Sequence, residues 1–213
     1  MKKYIVITLG VLAAVGLFSA GVAYSQFWGS TAIPVTYFTK ANEDVMWKSL
    51  VQTKNDDQAA FVTDLGLFNL GINTQHRITP EPHGPQGGIR FHANETEVYY
   101  IVSGSGTLIT QTGVMTNIHP TDYSHDDSYL KKVNTTNLGN APSGYADFAD
   151  PPVSHKVGPG DWVIIPPFTG HYLSEINGHV DYLTLRVDPY HSMPAGYINP
   201  TLKAAGIKSF AVH

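Results

Sequence analysis

The sequence predicts an all-β domain, and three observations carry that prediction. Short runs rich in β-branched and aromatic residues recur from Ala59 onward, each bounded by Gly, Pro, Asn or Asp. Gly (20) and Pro (14) are plentiful while charged residues make up only 14%, a balance that suits short strands joined by turns better than long surface helices. Hydrophobic content of 42%, with 11% aromatics, supports a packed core and argues against bulk disorder.

Taken in order, residues 1–25 read as a targeting segment. Lys2 and Lys3 supply the positive end, Tyr4 to Tyr24 carries no charged side chain, and Ala23-Tyr24-Ser25 places small residues at the −3 and −1 positions of a cleavage site. The apolar run is longer than the usual signal-peptide core and close to the roughly 20 residues that span a bilayer. Two readings stand: a cleaved signal, or an uncleaved anchor through residues 4–24. Either places the rest of the chain outside the cytoplasm, periplasmic or secreted, with the membrane touched only by this segment.

Residues 26–58 form a lead-in and a helix. The stretch 41–54 (ANEDVMWKSLVQTK) has Thr39 or Asn42 as cap, acids in its first turn, and Val45, Met46, Leu50 and Val51 as an apolar stripe that packs outside the β-domain. Trp28, Trp47 and Phe38 are expected against that exterior or a partner subunit. The β-domain proper covers 59–190. Its strands are AAFVTD, GLFNLGINT, GIRFH, TEVYYIVS and GTLITQT, then DWVIIP, HYLSE and VDYLTLRVD, with Ser103–Gly106 as a tight turn. Residues 113–157 interrupt the rhythm and read as a long insertion loop, a surface excursion or a lid, bearing His119, Asp122, Tyr123, His125, Asp126, Asp127 and Tyr129. The tail, 191–213, holds one short helix in PTLKAAGIKSF.

Several function classes fall away. With no cysteine, a disulfide framework, a zinc–thiolate site and a Cys nucleophile are excluded. A net charge of −4 without a basic run gives no footprint for nucleic acid. Ten histidines make a metal worth seeking.

Two stretches carry the chemistry. In the first, Gly84 is followed by five residues, Arg90-Phe91-His92, four residues, Glu97, six residues and Gly104. In the second, Gly160 is followed by five residues, Pro166-Pro167-Phe168, two residues, His171, three residues and Glu175. These spacings resemble the two motifs of the cupins, Gly-x5-His-x-His-x3,4-Glu-x6-Gly and Gly-x5-Pro-x-Gly-x2-His-x3-Asn. The departures are Arg90 for the first histidine, Phe168 for a glycine and Glu175 for the asparagine. The resemblance implies a double-stranded β-helix, or jelly-roll, barrel over residues 59–190. It also implies a divalent transition metal (Fe, Zn, Mn or Ni) on His92, Glu97 and His171, and a homodimer.

Residues two apart on a strand share a face, so Arg90 goes with His92, and Tyr99 with Glu97. Two imidazoles and a carboxylate suit first-row metals and leave positions open for water or substrate. An arginine cannot ligate a cation, so Arg90 is assigned to a substrate carboxylate, or else the metal is weak or absent. His83 is a remote substitute ligand. Some cupin lyases place a tyrosine at the position of Tyr99 as ligand or general base, so Tyr99 is the second catalytic candidate beside Arg90. The two-sided alternation of YLTLRVD favours a solvated Arg186 over an inward one. Cupins similar to this chain include dioxygenases, lyases and isomerases acting on small organic molecules. The alternative function is a non-catalytic small-ligand barrel in which Arg90 replaces a metal ligand.

Overall fold

A computed structural model of the chain describes residues 35–53, 57–81, 83–84, 87–120, 143–208 and 211–212. The chain divides into Thr36–Val212 and a second unit, Met1–Val35 with His213, of which only Val35 is described. The targeting segment and Trp28 therefore lie outside the described residues. No helix among the described residues is long and apolar enough to cross a membrane.

The element order is β1 (Val35–Thr36), α1 (Lys40–Thr53), β2 (Asp57–Asp64), β3 (Asn69–Arg77), β4 (Ile89–His92), β5 (Thr96–Gln111) and β6 (Met115–Pro120). Then follow β7 (Ser143–Phe148), β8 (Val153–Val157), β9 (Trp162–Ile165), β10 (Gly170–Asp188), α2 (Pro200–Ala204) and β11 (Ala211–Val212). Two antiparallel sheets make the body. One runs β2-β3-β10-β5-β8, with β9 also pairing with β5; the other runs β4-β7-β6. The strand-rich character expected from the sequence is observed, and the pairing within both sheets is antiparallel.

α1 starts with a reciprocal cap. Thr39 Oγ1 accepts from the Asn42 amide at 3.1 Å, while Asn42 Oδ1 accepts from the Thr39 amide at 3.0 Å. Its buried face is Met46, Ser49 and Leu50. Met46 packs with Ala60, Phe61 and Leu202, with Phe38 and Ile72 against them, so the helix covers the outer side of β2 and β3. Val51, expected in this stripe, is exposed: it sits one residue past Leu50, about 100° round a helix of 3.6 residues per turn. α2 forms where expected; Asn199 Oδ1 accepts from the Thr201 amide at 2.8 Å and Pro200 opens the helix.

Three expectations change. Ser103–Gly106 is no turn: β5 runs unbroken through it as a 16-residue strand. The glycines are there for close approach. A Cβ at Gly104 would lie 1.9 Å from the His179 carbonyl oxygen, and one at Gly106 2.5 Å from that of Glu175. HYLSE and VDYLTLRVD are likewise one strand, β10, whose register against β5 shifts between Leu173 and Glu175, between Ile176 and Val180, and between Asp181 and Tyr182. Finally, the insertion 113–157 contains β6, β7 and β8. His119 lies on β6; Asp122, Tyr123, His125, Asp126, Asp127 and Tyr129 lie outside the described residues.

The inward face of the large sheet is mixed. Tyr99, Ile101, Leu108, Val157, Ile165, Leu173, Val180 and Tyr182 form an apolar cluster. Beyond it on the same strands lie buried Glu97, Thr184 and Arg186.

Candidate metal centre

The register of β5 against β10 builds the site. Thr184 pairs with Tyr99 and Arg186 with Glu97, so these four side chains form two neighbouring cross-strand pairs on one face of the sheet. His171 enters from the start of β10 and His92 from the end of β4 on the other sheet. The three expected ligands meet: one ligating atom from each of His92, Glu97 and His171 lies within 4.8 Å of the others, and all three residues are buried. Glu97 Oε2 is 3.1 Å from His171 Nε2 and 3.4 Å from His92 Nε2. The two imidazole centroids are 5.4 Å apart.

His171 Nδ1 lies 3.0 Å from the Thr169 carbonyl, which can only accept, so Nδ1 carries a proton and donates it. Nε2 of the neutral ring is then a lone pair aimed at the Glu97 carboxylate. Two such lone pairs attract only through an intervening cation, either a proton on the imidazole or a metal ion. This is the orientation that second-layer hydrogen bonds impose on metal-binding histidines. The donor set of two Nε2 atoms and one carboxylate oxygen therefore fits a divalent transition ion.

Charges around the group support it. Burial pushes the Glu97 carboxyl up, but His92, Arg186 and the His171 hydrogen bond together outweigh it and hold it well below the usual carboxylate range. Burial lowers His171, and the Glu97 hydrogen bond and charge overcome this to raise it above the ordinary imidazole value. Tyr99 donates its phenolic proton to Glu97 Oε2 at 3.1 Å, and burial, reinforced by the Glu97 charge, lifts the phenol well above its usual value. Tyr99 thus sits at the site as a group that keeps its proton.

Glu95 was not anticipated, and Arg186 was expected in solvent rather than here. Arg186 is 4% exposed and faces inward, overturning its expected solvated position. Its Nη2 is 3.0 Å from Glu97 Oε1 and its Nη1 3.3 Å from Glu95 Oε2, with Asp57 Oδ2 at 3.7 Å. Direct pairing opposite Glu97 is the reason, since cross-strand partners share a face. Glu95 is fully buried in the bend between β4 and β5, and desolvation raises its carboxyl above the usual value. Its Oε1 has no hydrogen-bond partner among the described residues. The polar alternation Tyr182, Thr184, Arg186, Asp188 was the available signal for Arg186; for Glu95 there was none.

Arg90 is half-buried. Its Nη2 donates to the Tyr145 hydroxyl at 2.8 Å and its guanidinium lies 5.3 Å from the centre of that ring, linking β4 to β7. His83 is exposed, with its ring 5.1 Å from Tyr172, and does not join the group. The motif departures also have visible consequences. Phe168 adopts a left-handed φ of 61°, where glycine would be unstrained, and its amide donates to the His92 carbonyl at 2.7 Å. Glu175 is exposed and bonded to Lys156 and Thr107, away from the ligands.

Neither a protein-family profile nor a curated protein matches the sequence. Solved structures do. A cupin protein from Bacteroides fragilis is 15% identical over 60% of this chain and 70% of its own, with a TM-score of 0.29. An RmlC-like cupin with a double-stranded β-helix fold from Methanocaldococcus jannaschii is 13% identical over 75% of this chain and 95% of its own, with a TM-score of 0.35. The capsular polysaccharide assembling protein CapF of Staphylococcus aureus is 12% identical over 57% of this chain and 22% of its own, with a TM-score of 0.31. The structural neighbours are cupin-type proteins. Scores this low carry no argument about activity, which rests on the geometry above.

Proposed function

We infer that the chain is an extracytoplasmic metal-dependent protein of cupin type, holding one divalent transition ion on His92, Glu97 and His171 and acting on a small organic molecule. The observation that supports the metal reading is the meeting of two Nε2 atoms and one carboxylate oxygen in a buried spot, with His171 Nδ1 committed to the Thr169 carbonyl; the location rests on the reading of residues 1–25 alone. A bound ion there would supply Lewis-acid or oxygen-activating chemistry, compatible with the dioxygenase, lyase and isomerase classes. Three protein ligands leave room for an exchangeable one, the mark of catalytic rather than structural sites.

The chain's own residues have distinct tasks. Arg186 fixes Glu97 through Oε1 and leaves Oε2 toward the imidazoles. Tyr99 donates its one hydroxyl proton to Glu97 Oε2 and so helps orient that carboxylate, leaving the phenolic oxygen as an acceptor toward a bound molecule. Burial of all three ligands excludes bulk water. Arg90, steadied by Tyr145, is the proposed contact for a substrate carboxylate.

The test is a Co2+-loaded protein titrated with azide. An open position gives a shift in the visible ligand-field spectrum with saturation. A spectrum indifferent to azide denotes a closed site and rejects the catalytic reading.

A further inference from the structure

A second group of His and Asp side chains lies on the other face of the large sheet. In β3, Gln75 and Arg77 are buried inward, which turns His76 outward. Asp181 of β10 pairs directly with His76 on one side and with Ser103 of β5 on the other. His179, two residues before Asp181, shares its side of the strand, beside the register shift that ends at Val180.

Asp181 gathers these groups. Its Oδ1 is 2.6 Å from His76 Nδ1. Its Oδ2 accepts from the Ser103 hydroxyl at 2.8 Å and lies 3.7 Å from His179 Nε2. Ser103 Oγ is 3.0 Å from the same His179 nitrogen. The side chains are a quarter to a half exposed: 25% for His76, 23% for Asp181 and 44% for His179. Solvent and ions can reach them, unlike the buried triad.

We propose that His76, Asp181 and His179 form a second site for a divalent transition ion such as Zn2+, with the Ser103 hydroxyl orienting the carboxylate. Two imidazole nitrogens and one carboxylate oxygen on neighbouring strands are the ligand types such ions take. The His76 and His179 ring centroids are 6.2 Å apart, against 5.4 Å for His92 and His171. As the side chains stand, their ligand atoms do not all lie within 4.8 Å of one another, so a bound ion would have to draw the half-exposed His179 ring in toward Asp181. Asp181 is held through Oδ2 by the Ser103 hydroxyl, and a metal ion would take the place of the proton shared between Oδ1 and His76 Nδ1. Solvent completes the coordination shell on the exposed side.

This proposal stands apart from the inner triad, and the experiment separates them. The full 213-residue chain, without an affinity histidine tag, is titrated with Zn2+ alone, beside His92→Ala/His171→Ala, His76→Gln/His179→Gln and the combination, each checked for folding by circular dichroism. The expected result is a Zn2+ equivalent that survives His92→Ala/His171→Ala and is weakened at least about ten-fold by His76→Gln/His179→Gln, since removing ligands costs no less than removing the groups that support them. Asp181→Asn should weaken the same equivalent in the wild-type background. Affinity for that equivalent unchanged by either outer-site variant, or no Zn2+ bound outside the inner triad, overturns the proposal.

Discussion

Replacing Arg186 with methionine tests the electrostatics of the centre. The side chain is 5% exposed, and it faces Glu97, 1% exposed, at 3.0 Å and Glu95, fully buried, at 3.3 Å. Methionine is close in volume, so packing is largely kept while the cation disappears. Removing one partner of a buried pair costs about 3–5 kcal/mol, because the remaining charge is stranded away from water. For a folded unit of this size each kcal/mol moves the melting temperature by about 2–4 °C, so the metal-free variant should melt about 6–20 °C below the metal-free wild type. A divalent ion restores a cationic partner to Glu97, so the deficit should shrink when both proteins are loaded. Thermal unfolding by circular dichroism, with and without metal, reads both quantities. A metal-free deficit under about 2 °C, or one that metal leaves unchanged, refutes the reasoning.

Other expectations follow from the same geometry. Tyr99→Phe removes a buried donor to a charged acceptor and should cost about 1.5–3 kcal/mol in the metal-free protein while metal content stays whole; loss of metal would make Tyr99 a ligand instead. Gly104→Ala sets a Cβ 1.9 Å from a backbone oxygen at a φ of 73° and should destabilise by more than about 2 kcal/mol in chemical denaturation; a neutral result would mean that β5 and β10 do not approach as described. The pH response has opposite signs with and without metal. His171 is raised above its unfolded value of 6.5, so in the metal-free protein its contribution is full below that value and is lost as pH rises through the folded pKa. Glu97 is lowered from 4.5, so its contribution is present above that value and is lost as pH falls through the folded pKa. Metal needs His171 Nε2 without its proton, so the rise in melting temperature on adding Zn2+ should grow as pH climbs through the raised His171 pKa. A Zn2+ increment that stays flat across that interval contradicts the assignment of His171 as ligand.

The grouping of the three candidate ligands was more legible than the frame around them. The spacing of His92, Glu97 and His171 survives in sequence because a strand's two-residue period and a short bend fix where each side chain lands. Arg186 was misplaced because alternation alone does not name the inner face; pairing with Glu97 decides it, and that pairing is non-local. The strands β6, β7 and β8 were missed for a related reason. Their sequences (MTNIHP, SGYADF, VSHKV) are short and rich in polar residues, with a Pro closing the first and a Gly in the second, and their pairing partners supply what local propensity lacks. Gly104 and Gly106 carried a turn signal whose physical cause, close backbone approach, a long bulged strand satisfies equally. The capped helix α1 needed only local information, and its cap was readable; its buried face was read one residue too wide at Val51.

The central claim is that His92, Glu97 and His171 hold one metal ion. Elemental analysis answers it, using the full chain purified without a histidine tag, reconstituted and freed of weakly held ions, beside His92→Ala/His171→Ala. About one tightly held transition-metal ion per chain, absent from the variant, is the predicted result. A folded wild type that retains none, or a variant that retains as much as the wild type, contradicts the account.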